Sequence, residues 1–358
     1  MNNDKTYEAM VIERQKNLSK LLGVSGNEEK VVKFIIEEVK DTLDDYWVDD
    51  TGNLLGVIKG PSKSPAILLD AHTDEIGFMI THIDDNGFSY FTPIGGWDNR
   101  ILLGQNVIVE PNGERIYGVI GAVPPHITKQ SERKELVPME KMFIDFGFQS
   151  KKELEKEGIQ VGTVGTLYSG FQKLKGGKLK GKAFDDRSGC NILMQTALNL
   201  KEREIPYTVC FAWSAQEEVG IRGARTSAYA FSEKFDIIYA IAVENTTAAD
   251  VPGVPPQRNP TKMGEGPAIT IIDSSTIASP KVKNHLIETA ENKHIPYQIK
   301  TPSKGGTDAG AIHLTQSGIA AGIVSVPGRY IHSPCTIIHK DDLLNSVRLI
   351  TESVIRKF

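Results

Sequence analysis

Four apolar runs in this chain are each followed, within a few residues, by a histidine or a carboxylate. Ala66-Ile67-Leu68-Leu69-Asp70 leads to His72, run 207–214 to Glu217 and Glu218, run 236–243 to Glu244, and run 319–326 to His332. Short apolar runs bounded by turn residues have the pattern of fully buried strands. Segments with helical spacing, at about 187–201, 222–230, 281–293 and 340–357, alternate with them. The pattern predicts an α/β fold with a mainly parallel or mixed sheet. Ligands of open α/β sheets bind beyond the carboxyl ends of the strands, so one edge of this sheet should collect these side chains. Asp185, at the start of the helix after residue 182, is a fifth candidate.

That alternation is interrupted. From about 76 to 178 the chain becomes short strand-like pieces split by Asp85-Asn86-Gly87, Gly95-Gly96 and Pro111-Asn112-Gly113, with one helical stretch near 150–157. The expected organisation is a β-rich domain, 76–178, inserted into a single α/β domain made of 1–75 and 179–358. Upstream, 7–22 has helical spacing. Ser25 to Glu28 reads as an S-x-x-E capping box ahead of the apolar face Val31, Phe34, Ile35 and Val39. The segment 49–53 reads as a hairpin turn. Gly176 to Ala183 approaches a phosphate loop, but Ala183 stands where a magnesium-binding hydroxyl is needed, so it is expected to be the return linker of the insertion.

Lys plus Arg number 41 against 45 Asp plus Glu, and the absence of a net basic field argues against nucleic acid as a partner. No stretch approaches the roughly 18 uncharged apolar residues of a membrane span, and the first 20 residues carry charge throughout. Cys190, Cys210 and Cys335 are far apart and odd in number, which suits a reducing compartment and a cytoplasmic protein.

His72-Thr73-Asp74 places His72 and Asp74 on one side of an extended segment, where Asp74 can accept from the far ring nitrogen of His72 and orient it. Glu217 and Glu218 should point opposite ways from an extended backbone, leaving one as ligand and the other as general base. Two imidazoles and three carboxylates suit two divalent ions about 3.5 to 4 Å apart, bridged by a carboxylate and a water. The mixed nitrogen and oxygen donors favour zinc, with cobalt or manganese as further options. Each residue also has a plainer reading. Asp185-Asp186-Arg187 read alone fits a helix cap equally well, and Glu217-Glu218 alone fits a solvated turn. His82, His285, His294, His313 and His339 are taken as structural, and His126 has no assigned role. Asp308, in a Gly-rich turn, is a candidate for lining the substrate site, with helix capping as the alternative.

The blocks Asp70 to Gly77, Lys182 to Arg187, Gln216 to Gly220, Gly305 to Gly310 and Arg329 to Pro334 together resemble the dinuclear metallo-aminopeptidases that include the glutamyl, deblocking and tetrahedral (TET) aminopeptidases. The resemblance implies that His72 and Glu244 hold one metal and Glu218 and His332 the other. It also implies that Asp185 bridges them, that Glu217 is the general base and that Asp74 orients His72. It implies an αβα exopeptidase domain carrying a barrel-like dimerisation domain, with dimers assembling into a hollow tetrahedral homododecamer. One departure stands out: Glu244 occupies a position that is often Asp in this group. The implied activity is removal of N-terminal residues from short peptides. The alternatives are a metallo-amidase or deacylase on the same scaffold, and glycoside hydrolysis, since some relatives with a similar Glu-x-Thr-Thr-Ala segment have carried an endoglucanase label.

Overall fold

The structure is a computed structural model that describes residues 4–127, 129–130, 135–302 and 304–358. Its centre is an 11-stranded sheet. Strands Thr208–Ser214, Ala66–His72, Ile237–Thr247 and Ala321–Arg329 lie side by side in that order and are all parallel. Along them, alternate residues face opposite layers. Ile67, Leu69, Ala71, Val209, Phe211 and Trp213 pack on helices Asp4–Lys20, Glu29–Val39, Phe184–Leu200, Pro280–Asn292 and Lys340–Ile355. Ala66, Leu68, Cys210 and Ala212 pack on Arg222–Ser232 and Ala309–Ile312. The result is an αβα sandwich. Register sets Ser214 against His72 and Ala242 against Asp70, so His72, the segment after Ser214, and Glu244 emerge together at the carboxyl edge.

Hairpin Asp45–Val48 and Leu54–Ile58 closes one side of the sheet in antiparallel pairing. Its turn is held by Asp49 Oδ1, which accepts from the N–H groups of Thr51 and Asn53. After residue 76 the chain leaves the sheet and forms a closed antiparallel barrel. Its strands run in the order Gly77–Ile83, Phe88–Ile94, Phe143–Asp145, Ile116–Gly121, Asn106–Val109 and Val164–Leu167. The barrel has its own core, including Phe78, Ile80, Val107, Ile144 and Leu167.

Two local expectations are corrected. Ser25 and Glu28 form no capping box. Helix Glu29–Val39 starts without a side-chain cap, Ser25 Oγ donates to Asp74 Oδ2 at 2.6 Å, and Glu28 Oε1 accepts from the N–H of Gly26 and of Gln216. A cap would use the Ser25 oxygen as an acceptor for a helix N–H; here its hydroxyl instead donates to a buried carboxylate, a charge-assisted and stronger hydrogen bond. The segment 176–183 is more than a linker, because Lys178–Gly181 joins the main sheet, antiparallel to Thr336–His339.

A buried ion cluster ties the barrel to the sandwich. Glu75, 2% exposed, accepts from Lys182 Nζ at 2.6 and 2.8 Å, from Thr166 Oγ1 of the barrel at 3.3 Å and from Gly23 N–H at 3.3 Å. Arg187 reaches it at 3.5 Å and donates to the carbonyls of Leu18, Gly23 and Thr73. Removing one partner strands a charge away from water, so Lys182→Met should cost about 3–5 kcal/mol in denaturant unfolding. Adding Glu75→Leu should recover a large part of that loss. Strictly additive effects in the double-mutant cycle would show that the two groups are not coupled.

Candidate active site

His72 ends its strand fully enclosed. Its Nδ1 lies 3.3 Å from Asp74 Oδ1, while its Nε2 lies 3.4 Å from Asp185 Oδ1, 3.8 Å from Glu244 Oε2 and 3.8 Å from Glu217 Oε2. Asp185 is free to reach it because Asp185 and Asp186 are not helical within the Phe184–Leu200 segment. The capping alternative for Asp185 falls to its neighbour: Asp186 Oδ1 accepts from Gly189 N–H at 3.0 Å. The other oxygen of Asp185 lies 3.4 Å from His332 Nε2, which is also 3.3 Å from Glu218 Oε1. Nδ1 of His332 lies 3.1 Å from the carbonyl oxygen of Gly96, at the barrel's edge. Asp185 thus presents one oxygen to each imidazole.

Glu217 and Glu218 do not diverge. They follow Gln216 in a turn, with Gln216 at φ 58, and both carboxylates reach the cluster. The reason lies in three successive N–H groups aimed at two buried acids. Glu28 Oε1 accepts from Gln216, Asp74 Oδ1 from Glu217 at 2.9 Å and Asp74 Oδ2 from Glu218 at 3.1 Å. Such a run of backbone donors is an anion-binding nest, here filled by the chain's own carboxylates. Asp74 therefore grips the glutamate turn as well as lying beside His72. Ser25 and Glu28 are site-building residues that sequence reasoning missed, their signal having been read as a helix start.

The position of Glu244 is likewise set by the backbone. Its Oε1 accepts from Asp308 N–H at 3.0 Å, leaving Oε2 towards His72. Asp308 itself is fully buried and is not part of the cavity wall, unlike its neighbour Thr307. Its place is explained by the start of helix Ala309–Ile312, where its main chain, not its carboxylate, serves the site. The cavity over the cluster, about 430 Å³, is bounded by His72, Glu217, Glu244, Lys300, Thr307 and His332 among others. His126 sits in a short exposed turn and does not line it. His285 is occupied by the Ser353 carbonyl and His339 accepts from Asp341 N–H.

Burial, reinforced by neighbouring acids, raises the carboxyl of Glu217 to about 8 and those of Glu218 and Glu244 above the usual range. Burial works against charge on His72, yet Asp185, Asp74 and Glu217 hold it well above an ordinary imidazole. Burial likewise opposes the charge of Asp185, but His332 and His72 hold its carboxyl below the usual range. Three sets of donor atoms lie within 4.8 Å of one another: His72, Asp185 and Glu244; Asp185, Glu218 and His332; His72, Glu217 and Glu218. Oxygen and imidazole donors gathered this closely fit divalent cations.

A family model described as M42 glutamyl aminopeptidase matches residues 52–349. The chain belongs to the M42 glutamyl aminopeptidase family. An aminopeptidase from the archaeon Desulfurococcus kamchatkensis is 40% identical in sequence, superimposes with a TM-score of 0.92, and is matched over 98% of this chain and 95% of that one. The TET1 peptidase of Pyrococcus horikoshii, whose chains can assemble into a tetrahedron or a large octahedral shell, is 33% identical with a TM-score of 0.85 over 97% and 100% of the two chains. The lysyl aminopeptidase of Pyrococcus furiosus is 30% identical over 94% of each chain. As an M42 member the chain is a peptide hydrolase of a metal-dependent family, and it carries groups able to hold metal.

Raised carboxyl groups retain protons near neutral pH, and cations must displace them. Binding of a divalent cation to the metal-free protein should therefore release protons, and affinity should fall as pH drops from about 8. Calorimetry in buffers of differing ionisation enthalpy reads the proton count, and uptake at pH 7 with no proton release would contradict this electrostatic description.

Proposed function

We propose that the chain is an aminopeptidase that removes N-terminal residues from short peptides using two divalent ions, zinc or cobalt. The observation that carries this reading is the division of Asp185, whose Oδ1 and Oδ2 each lie 3.4 Å from a different imidazole. In this reading His72 and Glu244 hold one ion, Glu218 and His332 the other, and Asp185 spans both. Bound there, the ions would acidify a water and polarise the scissile carbonyl.

The chain's own residues do the rest. Asp74 keeps His72 in place and, through the N–H groups of Glu217 and Glu218, keeps both glutamates turned into the cavity. Glu217 is the general base: it takes the proton of the attacking water and hands it to the leaving amine. Its place in the cavity wall, with Oε2 3.8 Å from His72 Nε2, supports that role. Residues 1–75 and 179–358 form the catalytic domain and 76–178 a dimerisation domain. The exposed apolar side chains Tyr117, Val119, Val123 and Ile127 support a self-associating face on the barrel segment, with dimers building a dodecamer. A cytoplasmic setting belongs to the same reading, supported by three unpaired cysteines.

A metallo-amidase or deacylase would use the same centre and differs in needing an acylated amine. A glycosidase needs a carboxylate pair and no metal, which leaves His72, His332 and the placement of Asp185 without a task. Glu217→Gln should lower turnover of aminoacyl amides by about 10²–10⁴-fold while the metal content measured by elemental analysis stays unchanged. EDTA should abolish wild-type activity. Near wild-type turnover by Glu217→Gln would overturn the base assignment, and faster cleavage of N-acetylated than of free-amine substrates would favour the deacylase.

A further inference from the structure

Glu244 reaches towards His72 on a long, flexible side chain, and among the described residues one hydrogen-bond donor fixes it: Asp308 N–H, 3.0 Å from Oε1. That donor ends the segment 305–308, in which Gly305, Gly306 and Thr307 form part of the cavity wall. Glycine-rich backbone has little stiffness of its own. What holds this stretch is the hairpin 272–277, which takes no part in the cavity wall. It is closed by an antiparallel bridge between Ile272 and Ile277 and is organised around Asp273, 8% exposed.

Asp273 uses its two oxygens differently. Oδ1 holds the hairpin itself in shape, accepting from Ser275 N–H at 2.7 Å, Ser275 Oγ at 2.9 Å and Thr276 N–H at 2.8 Å. Oδ2 reaches out of the hairpin and accepts from Thr307 Oγ1 at 2.9 Å. Two further contacts flank that bond: Ser274 N–H donates to the Gly305 carbonyl at 3.0 Å, and Thr307 N–H to Ser275 Oγ at 3.3 Å. A Cβ built on Gly310 would lie 2.5 Å from Ser275 Oγ, so the hairpin also seats the start of helix Ala309–Ile312. Hydrogen bonds to a charged acceptor are roughly twice as strong as neutral ones, which makes the bond from Thr307 to Asp273 the strongest of these ties.

We propose that Asp273 is a positioning residue for Glu244, acting through Thr307 and the N–H of Asp308 to keep the other carboxylate oxygen aimed at the ion that Glu244 and His72 would hold. This rests on the two-ion aminopeptidase reading and adds a residue outside the cavity that sets the affinity for one ion and not the other. A partner behind a ligand fixes its direction, and losing one costs about 10–100-fold in metal affinity. The rival role for Asp273 is charge balance, because it also acts through space on the buried Lys300. Asparagine separates the two roles. It keeps an oxygen for the donors of Ser275 and Thr276 and offers an amide to the Thr307 hydroxyl, but it carries no charge.

The test titrates the metal-free protein with cobalt(II) and follows each binding step by visible absorption and calorimetry. Wild type should take up two ions per chain. Asp273→Ala should weaken one step by about 10–100-fold and leave the other unchanged, while Asp273→Asn stays near wild type. Thr307→Val, which removes a single hydrogen bond and carries the test should Asp273→Ala not fold, should weaken the same step, and Thr307→Ser should not. In a Glu244→Ala background, where the ligand itself is gone, Asp273→Ala should add no further loss. The unchanged step counts folded chains, so partial misfolding shows as lost stoichiometry rather than lost affinity. Two unchanged steps in Asp273→Ala overturn the proposal, as does equal weakening of both. Asp273→Asn behaving like Asp273→Ala assigns the residue to charge balance with Lys300 and overturns it too, and so does a further loss on top of Glu244→Ala. Failure of the parent reading looks different: wild type itself binds fewer than two ions.

Discussion

The structure depends on the concentration of negative charge at one buried edge of a sheet. Asp74, Asp185, Glu217, Glu218 and Glu244 converge on His72 and His332 within a few ångströms. Like charges at low dielectric repel strongly, and without cations the cluster relieves itself only by holding protons on some carboxyls and on the imidazoles. A set of hydrogen-bond donors around the cluster counters that repulsion. Backbone N–H groups of residues 216, 217 and 218 are turned on the acids Glu28 and Asp74, Asp308 N–H is turned on Glu244, and Ser25 donates to Asp74.

The fold makes this arrangement rigid. Parallel register brings Ser214 level with His72 and Ala242 level with Asp70, so ligands far apart in sequence meet at one height. The helix that follows Asp185 packs directly on strand Ile237–Thr247, and a side chain at Gly189 would lie 2.4 Å from the Val243 carbonyl oxygen. Only the absence of a Cβ permits that approach, and it fixes Asp185 relative to Glu244. The Glu75 cluster then sets the barrel against the sandwich, near the point where Gly96 meets His332. A cation centre of several ligands tolerates little relative movement, so the joint and the centre are parts of one mechanical unit.

The arrangement of strands and helices was legible because burial writes itself into residue type: runs such as 66–70 and 207–214 could only be interior strands. The candidate ligands were legible for a related reason, since acids and imidazoles directly after such strands have one edge to occupy. What misled were signals with two local meanings. Ser25 and Glu28 match a capping box in sequence, but the partner that claimed Ser25 lies 49 residues away. Glu217 and Glu218 were assigned opposite directions from an extended backbone, whereas long-range acceptors bend it into a turn. Asp308 contributes its main chain, which no residue identity reveals.

The central claim is that one carboxylate, Asp185, spans two cations, and it is most directly examined by anomalous diffraction from crystals of the protein loaded with zinc. The account predicts two peaks per chain, about 3.5–4 Å apart, with one oxygen of Asp185 on each, His72 and Glu244 on one side and Glu218 and His332 on the other. A single peak at full occupancy, or two peaks that do not share Asp185, would contradict it.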